Sequence, residues 1–285
     1  MSINDEHMPL QRLLAFDTST SSLAVAVMEN GRLLAERNIH AERNHSAYLV
    51  TAIGDCLKAA GLGKADLTGI AVGIGPGSYT GIRIAVTTAK TLAWTMGLPV
   101  FGVSSLAALA LGGWANETKQ NANELGGTAY TRGISLTREP DVSASATAIG
   151  DWIVPLVDAR RGQAYTALFE TDVSGGLPKR LEPDGIRLMV DWTDALTSSL
   201  QSIASADRPS AIWFIGETSK HEEVLENMRA LFGNKIHIIP YELEGVWMGL
   251  AGTERSLHGK EDEVHSLEPN YTQLAEAEAK RLRNG

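Results

Sequence analysis

The stretch Gly73–Lys90, GIGPGSYTGIRIAVTTAK, carries a buried apolar run into a glycine-rich turn and then into a long helix. GIAVGIG, Gly69–Gly75, has the length and apolar content of a buried strand. Pro76 and Gly77 break it, and Ser78 stands at the N-cap of a helix expected over Tyr79–Met96 and stopped by Gly97. Such a turn leaves the first N–H groups of the helix free to face an anion. It lacks the Gly-Lys-Ser/Thr ending of a P-loop, and a turn that needs glycine for steric reasons alone reads the same way.

Upstream, LLAFD from Leu13, LAVAVM (Leu23–Met28) and RLLAER, with ENG (Glu29–Gly31) as a hairpin turn, predict a three-stranded meander. A helix follows over 44–61. Downstream, LPVFGV (Leu98–Val103) reads as a strand and SSLAALAL as a short serine-capped helix. Between Trp114 and Gly150 the sequence turns to Asn, Thr, Gly, Ser and Ala without a period, which predicts a long, mobile insertion. Order resumes at WIVPLVD (Trp152–Asp158), turns through DARRGQ and returns as AYTALFE (Ala164–Glu170). A strand GIRLMV (Gly185–Val190) comes next, punctuated beforehand by Pro183, then a helix near Asp194–Ala204 and a strand AIWFIG (Ala211–Gly216). A helix Lys220–Phe232, a strand KIHIIP and a helix near Glu244–His258 complete the order, and LEPNYTQLAEAEAKRL predicts a terminal helix. Each half repeats strand, strand, strand, helix, strand, helix, strand, helix. That is an α/β protein of two lobes, each a mixed sheet flanked by helices, with a cleft between them. The expected divisions are 11–111, an insertion 112–150, 151–270, and a tail 271–285.

The formal charge of −9 over 285 residues, with no basic patch, argues against tight autonomous binding of RNA. Cys56 is the single cysteine, so no internal disulfide can form. The uncharged run Thr91–Ala115 is broken by Gly97, Pro99 and Gly102, which excludes a membrane span. MSINDEHMPL lacks the layout of a secretory signal, so the cytoplasm is the expected location.

Three turns are candidates to face the cleft. DTSTSS presents Asp17, Thr18 and Ser19, one carboxylate among hydroxyls, and equally reads as a polar hairpin turn. The glycine-rich turn presents Gly75, Gly77 and Ser78, and DARRGQ presents Asp158 and Arg160 at the matching place in the second half. No catalytic nucleophile with a base is visible, and the histidines form no metal-ligand set; His40 and His45 are five apart.

The two long helices carry unusually few charges: Asp55 and Lys58 in 44–61, Arg83 and Lys90 in 79–96, four in 36 positions. Ile82, Ala85, Val86, Ala89, Leu92, Ala93 and Met96 form a stripe that can face the sheet, which leaves small, β-branched and aromatic residues on the other side. Candidate partner-facing residues are His45, Tyr48, Thr51, Ala52 and Asp55 on the first helix, and Arg83, Ile84, Thr87, Thr88, Thr91 and Trp94 on the second. Two ordinary helices packed within a monomer are the competing reading.

LLAFDTSTSSLAVAV, GIGPGSYTGIRIAVTTAKTLAW and PLVDARRGQAYTALF, in this order, resemble the TsaB family, the dimerisation subunit of the bacterial tRNA threonylcarbamoyladenosine machinery. The resemblance implies an actin-like ATPase fold and an accessory, non-catalytic role. It also implies a four-helix contact between helices 44–61 and 79–96 and the like pair of the catalytic paralogue TsaD. Self-association without TsaD and a further ATPase partner, TsaE, are implied as well. An ATP-binding member of that fold has paired glycines where this chain has Gly216-Glu217, and small residues where it has Arg160-Arg161. The phosphate turns are therefore expected to be vestigial, with no cofactor and at most weak ATP or ADP binding. The rival readings are an ATP-dependent kinase-like enzyme and a metallopeptidase-like protein of the same fold.

Overall fold

Leu13 and Ala15 point to one face of β1 (Arg12–Asp17), Leu14 and Phe16 to the other, and both faces are buried. The computed structural model describes residues 10–40, 45–127, 150–172 and 177–272. Asn30 and Gly31, at φ 51° and 77°, turn β2 (Ser22–Glu29) into β3 (Arg32–His40) with the left-handed pair that a two-residue hairpin requires. After α1 (His45–Ala59), β4 (Gly69–Gly73), α2 (Tyr79–Met96) and β5 (Val100–Val103), the first sheet has the order β3-β2-β1-β4-β5. Its meander is antiparallel, and β1, β4 and β5 run parallel.

The second half repeats this order. It comprises β6 (Trp152–Asp158), β7 (Gln163–Glu170), β8 (Lys179–Leu188), α4 (Met189–Ser202), β9 (Ile212–Gly216), α5 (Glu222–Phe232) and β10 (Ile236–Pro240). Its sheet reads β8-β7-β6-β9-β10 with the same parallel and antiparallel pairings. This doubled topology is the actin-like ATPase fold.

Each half ends in a helix that packs on the other half. After β5, α3 (Ser105–Glu117) lies against β6, β7 and β9, whereas α6 (Gly245–Leu257) lies against β1, β2 and β4. The contacts are close: a Cβ on Gly113 would stand 2.2 Å from the Ile215 side chain, and one on Gly252 2.2 Å from that of Ala71. The two inner sheet faces and these two helices form one central core, in which Met28, Leu109, Ile153 and Trp247 are buried. Outer cores beneath α1–α2 and α4–α5 flank it.

Several boundaries differ from expectation. Trp114 lies within α3, which runs to Glu117 because Leu111 and Ala115 reach the central core; a further helical turn covers 122–127. Within the proposed insertion, 128–149 lies outside the described residues. β8 begins at Lys179 and passes through Pro183, tolerable because β8 is an edge strand with irregular register. Met189 and Val190 already belong to α4, where burial of Met189 anchors the first turn. Residues 267–272 are not helical; the rest of the expected terminal helix lies outside the described residues. The segment after α6 returns to the first sheet instead, where Asp262 bridges to Val100 and the Asn270 N–H donates to the Ile74 carbonyl at 2.8 Å.

Candidate functional site

The β1–β2 turn, the β4–α2 turn, the β6–β7 turn and the end of β9 meet in a polar cleft of about 680 Å³. Ser19, Gly77, Ser78, Asp158 and Arg160 line it, as the sequence suggests. Asp17, Thr18 and Gly75 do not. Asp17 is fully buried, with Oδ1 accepting from the Ser19 N–H and Oδ2 from the Ser105 hydroxyl, each at 2.5 Å. Burial raises its pKa, against the hydrogen bonds from Ser105 and Ser19. Thr18 Oγ1 donates to the Gly81 carbonyl at 2.6 Å, and the Gly75 N–H donates to Ser105 Oγ at 3.0 Å. These polar groups are spent on stapling the first turns of α2 and α3 to β1. Ser78 is the N-cap, accepting from the Gly81 N–H at 3.3 Å.

Across the cleft, Glu217 folds over the end of β6, its Oε2 accepting from the Asp158 N–H at 2.7 Å. Its pKa is raised, chiefly by burial, which the Asp158 hydrogen bond opposes. His221 is buried with Nε2 3.8 Å from Asp158 Oδ1; burial lowers its pKa against the pull of that carboxylate. Arg160, Arg161 and Gly162 take φ of 65°, 54° and 74°, so the turn is left-handed throughout, and only Arg160 of the two arginines lines the cleft. Asp158, Arg160, Glu217 and Lys220 thus line one space equipped for polar binding. Among the described residues no group of three His, Cys, Asp or Glu side chains is placed to hold a metal ion.

The second candidate surface is the outer face of α1 and α2. Tyr48, Thr51, Asp55, Arg83, Thr87, Thr91 and Trp94 are exposed there, and Ile84 and Thr88 are half-buried. His45 and Ala52 are not on it. Ala52 is 3% exposed and packs in the core beneath the helix, and His45 is 6% exposed and lines the cleft. At the first position of α1, His45 turns its ring toward Asp17 and the Thr20 carbonyl. Burial nevertheless lowers its pKa. Val50, 70% exposed, was absent from the expected set; on a helical wheel it stands equally far from outward Ala47 and buried Ile53, so spacing alone does not place it.

Between the helices runs a groove of about 520 Å³ lined by Val50, Tyr79, Arg83, Ile84, Thr87 and Thr88. The cations of α2 are drawn to its side. Arg83 Nε donates to Tyr271 Oη at 2.9 Å, with the guanidinium 4.1 Å from the centre of the Tyr79 ring, and Lys90 Nζ donates to the His265 and Leu267 carbonyls. The Thr91 and Thr95 hydroxyls donate to the Thr87 and Thr91 carbonyls, so these two side chains turn back onto their own helix.

The family model for TsaD, tRNA N6-adenosine threonylcarbamoyltransferase, matches residues 38–123, a span that holds both helices and the groove. The tRNA threonylcarbamoyladenosine biosynthesis protein TsaB of Bacillus subtilis (strain 168) is 33% identical over 278 residues, covering 94% of this chain and 96% of the relative. The protein of the same name from Escherichia coli (strain K12) is 30% identical over 167 residues, 58% of this chain and 57% of the relative. YeaZ from Pseudomonas aeruginosa shares the fold, with a TM-score of 0.66 at 20% identity, over 92% of this chain and 99% of that one. Because similarity to the Bacillus protein runs at 33% identity along nearly the whole of both sequences, the chain belongs to the TsaB family.

Proposed function

We propose that this chain is a non-catalytic subunit in the biosynthesis of threonylcarbamoyladenosine in tRNA, and that it binds a TsaD threonylcarbamoyltransferase through α1 and α2 and holds it in an active form. One observation carries the reading: the outer face of α1 and α2 exposes Tyr48, Val50, Tyr79 and Trp94 among threonines and few charges, and it lies within the segment that matches the TsaD family model. A transferase with a like helix pair can meet it face to face, and sparsely charged helices with small and aromatic residues suit that contact better than they suit water. In isolation the same face would pair two copies of this chain. TsaE is then a partner of the assembled pair and not of this face.

The cleft fits a lesser role. Glu217 occupies the end of β9 and brings negative charge to the place where a polyphosphate would lie, so ATP or ADP binds weakly at most. The net charge of −9 leaves tRNA to be held by the transferase, in the cytoplasm. Substituting Thr87→Arg puts a cation in the middle of the groove. Light scattering and titration calorimetry with the transferase are expected to show complex formation for the wild type, and a loss of at least about tenfold in affinity for the variant. Equal affinities, or ATP turnover by the pure chain, would overturn the proposal.

A further inference from the structure

Glycine inside a helix is costly relative to alanine, so each one calls for a reason. Among the glycines within the named α-helices, nearly all have one inside this chain. A Cβ would stand 1.8 Å from the Thr18 carbonyl at Gly81, 2.6 Å from Trp247 at Gly112 and 2.2 Å from Ile215 at Gly113. On α6 it would stand 2.5 Å from Val25 at Gly245, 2.5 Å from Met28 at Gly249 and 2.2 Å from Ala71 at Gly252. Gly54, in the middle of α1, is the exception: a Cβ there meets nothing within 4 Å, and its φ is not left-handed.

What Gly54 borders is a hole. A cavity of about 120 Å³ lies between α1, α2 and the sheet, walled chiefly by Ile53, Leu57, Leu67, Ile70, Leu92 and Met96, with Lys64 and Thr88 also lining it. Its outer rim includes exposed Val50 and Gly54, and it shares Val50 and Thr88 with the groove between the helices. An apolar cavity of about 150 Å³ takes up a benzene molecule. A cavity slightly smaller, with mostly aliphatic walls, suits one leucine- or methionine-sized side chain, and a charged or amide group would lose most of its hydration there.

We infer that Gly54 keeps open a socket in the partner-binding face, and that its occupant is a single aliphatic side chain of leucine or methionine size projecting from a helix of the transferase. This rests on the proposed interface and adds the residue that anchors it. A bare backbone at Gly54, next to Thr51 and one turn from Val50, allows the helix bearing that side chain to approach closely. A second copy of this chain is a poorer occupant. The large apolar side chains it exposes on this face are Tyr48, Val50, Tyr79 and Trp94, three too broad for the socket and one too short.

The test compares Gly54→Ala, Gly54→Leu and Thr87→Arg by thermal unfolding and by calorimetric titration with the transferase. Gly54→Ala is expected to raise the unfolding midpoint by a few degrees and to bind with nearly wild-type affinity. Gly54→Leu is expected to fold as well as the wild type and to bind at least about tenfold more weakly, because its own side chain fills the socket. Wild-type affinity in Gly54→Leu overturns the inference, as does a lowered midpoint in Gly54→Ala, which would mean that the glycine serves this chain's own fold. If Gly54→Leu loses only self-association, the occupant is a second copy and the assignment to the transferase is wrong. Thr87→Arg separates the levels: if it too binds normally the interface reading falls, and if it alone abolishes binding only the socket falls.

Discussion

Ser105 shows how a small polar residue holds the turns together. Its hydroxyl donates to buried Asp17 and accepts from the Gly75 N–H, so one atom ties β1, the glycine-rich turn and the start of α3. Ser105→Ala would take the Ser105 hydrogen bond from buried Asp17 Oδ2 and from the Gly75 N–H, a loss of roughly 2 to 4 kcal/mol that urea unfolding would read. His45 and His221 make a pH signature. Burial lowers both pKa values below the ordinary 6.5. The unfolded chain therefore takes up protons first, and stability that is complete above 6.5 is lost as the pH falls below it toward the depressed folded values. The unfolding midpoint is expected to drop between about pH 7.5 and about pH 5.5, and to drop less in His221→Gln. None of this was legible in the sequence, where Asp17 and Thr18 read as cleft residues. A turn's hydroxyls and carboxylates look alike whether they face solvent or staple a neighbouring helix, and only the partner 63 or 88 residues away decides.

At the scale of elements, the helix periods carried much of the information. The sheet-facing stripe of α2, its cap at Ser78 and its stop at Gly97, in the left-handed conformation, follow from local sequence. The strand through Pro183 was missed because proline punctuates most sequences, and edge strands are the exception. Val50 was missed because a valine among outward positions reads as part of a core. α6 illustrates what periodicity leaves out: its Gly252 exists for contact with Ala71 on another element. Gly252→Val is expected to push α6 off the first sheet and to cost about 1 to 3 kcal/mol, read as a lowered denaturant midpoint with an unchanged slope.

For the whole molecule, the crossed third helices have a mechanical consequence. α6 covers the inner face of the first sheet, and α3 covers that of the second. The lobes are also pinned at the rim. Glu36 and Asn38 of β3 accept from the Val246 and Gly245 N–H groups at the start of α6, and Asp184 of β8 accepts from Ser104 and Asn270. Neither lobe has a complete core of its own. Calorimetry is expected to show one cooperative unfolding transition for the full chain, and residues 10–111 expressed alone should remain unfolded or aggregate, since Leu13, Met28 and Phe101 would face water. Two resolved transitions would contradict this. A pair of lobes so joined suits a rigid scaffold for a partner.

By itself the sequence determined the kind and order of the elements, the doubling of the halves and the scarcity of charge on α1 and α2, because each of these is written in spacings of a few residues. Only the tertiary structure decided that the third helices exchange lobes, that Asp17 and Thr18 turn inward, that Arg83 and Lys90 are drawn to the chain from His265 to Tyr271, and that Gly54 stands over an unfilled space. Those outcomes depend on which distant surfaces fill one another's volume and satisfy one another's hydrogen bonds, and no local period records that pairing.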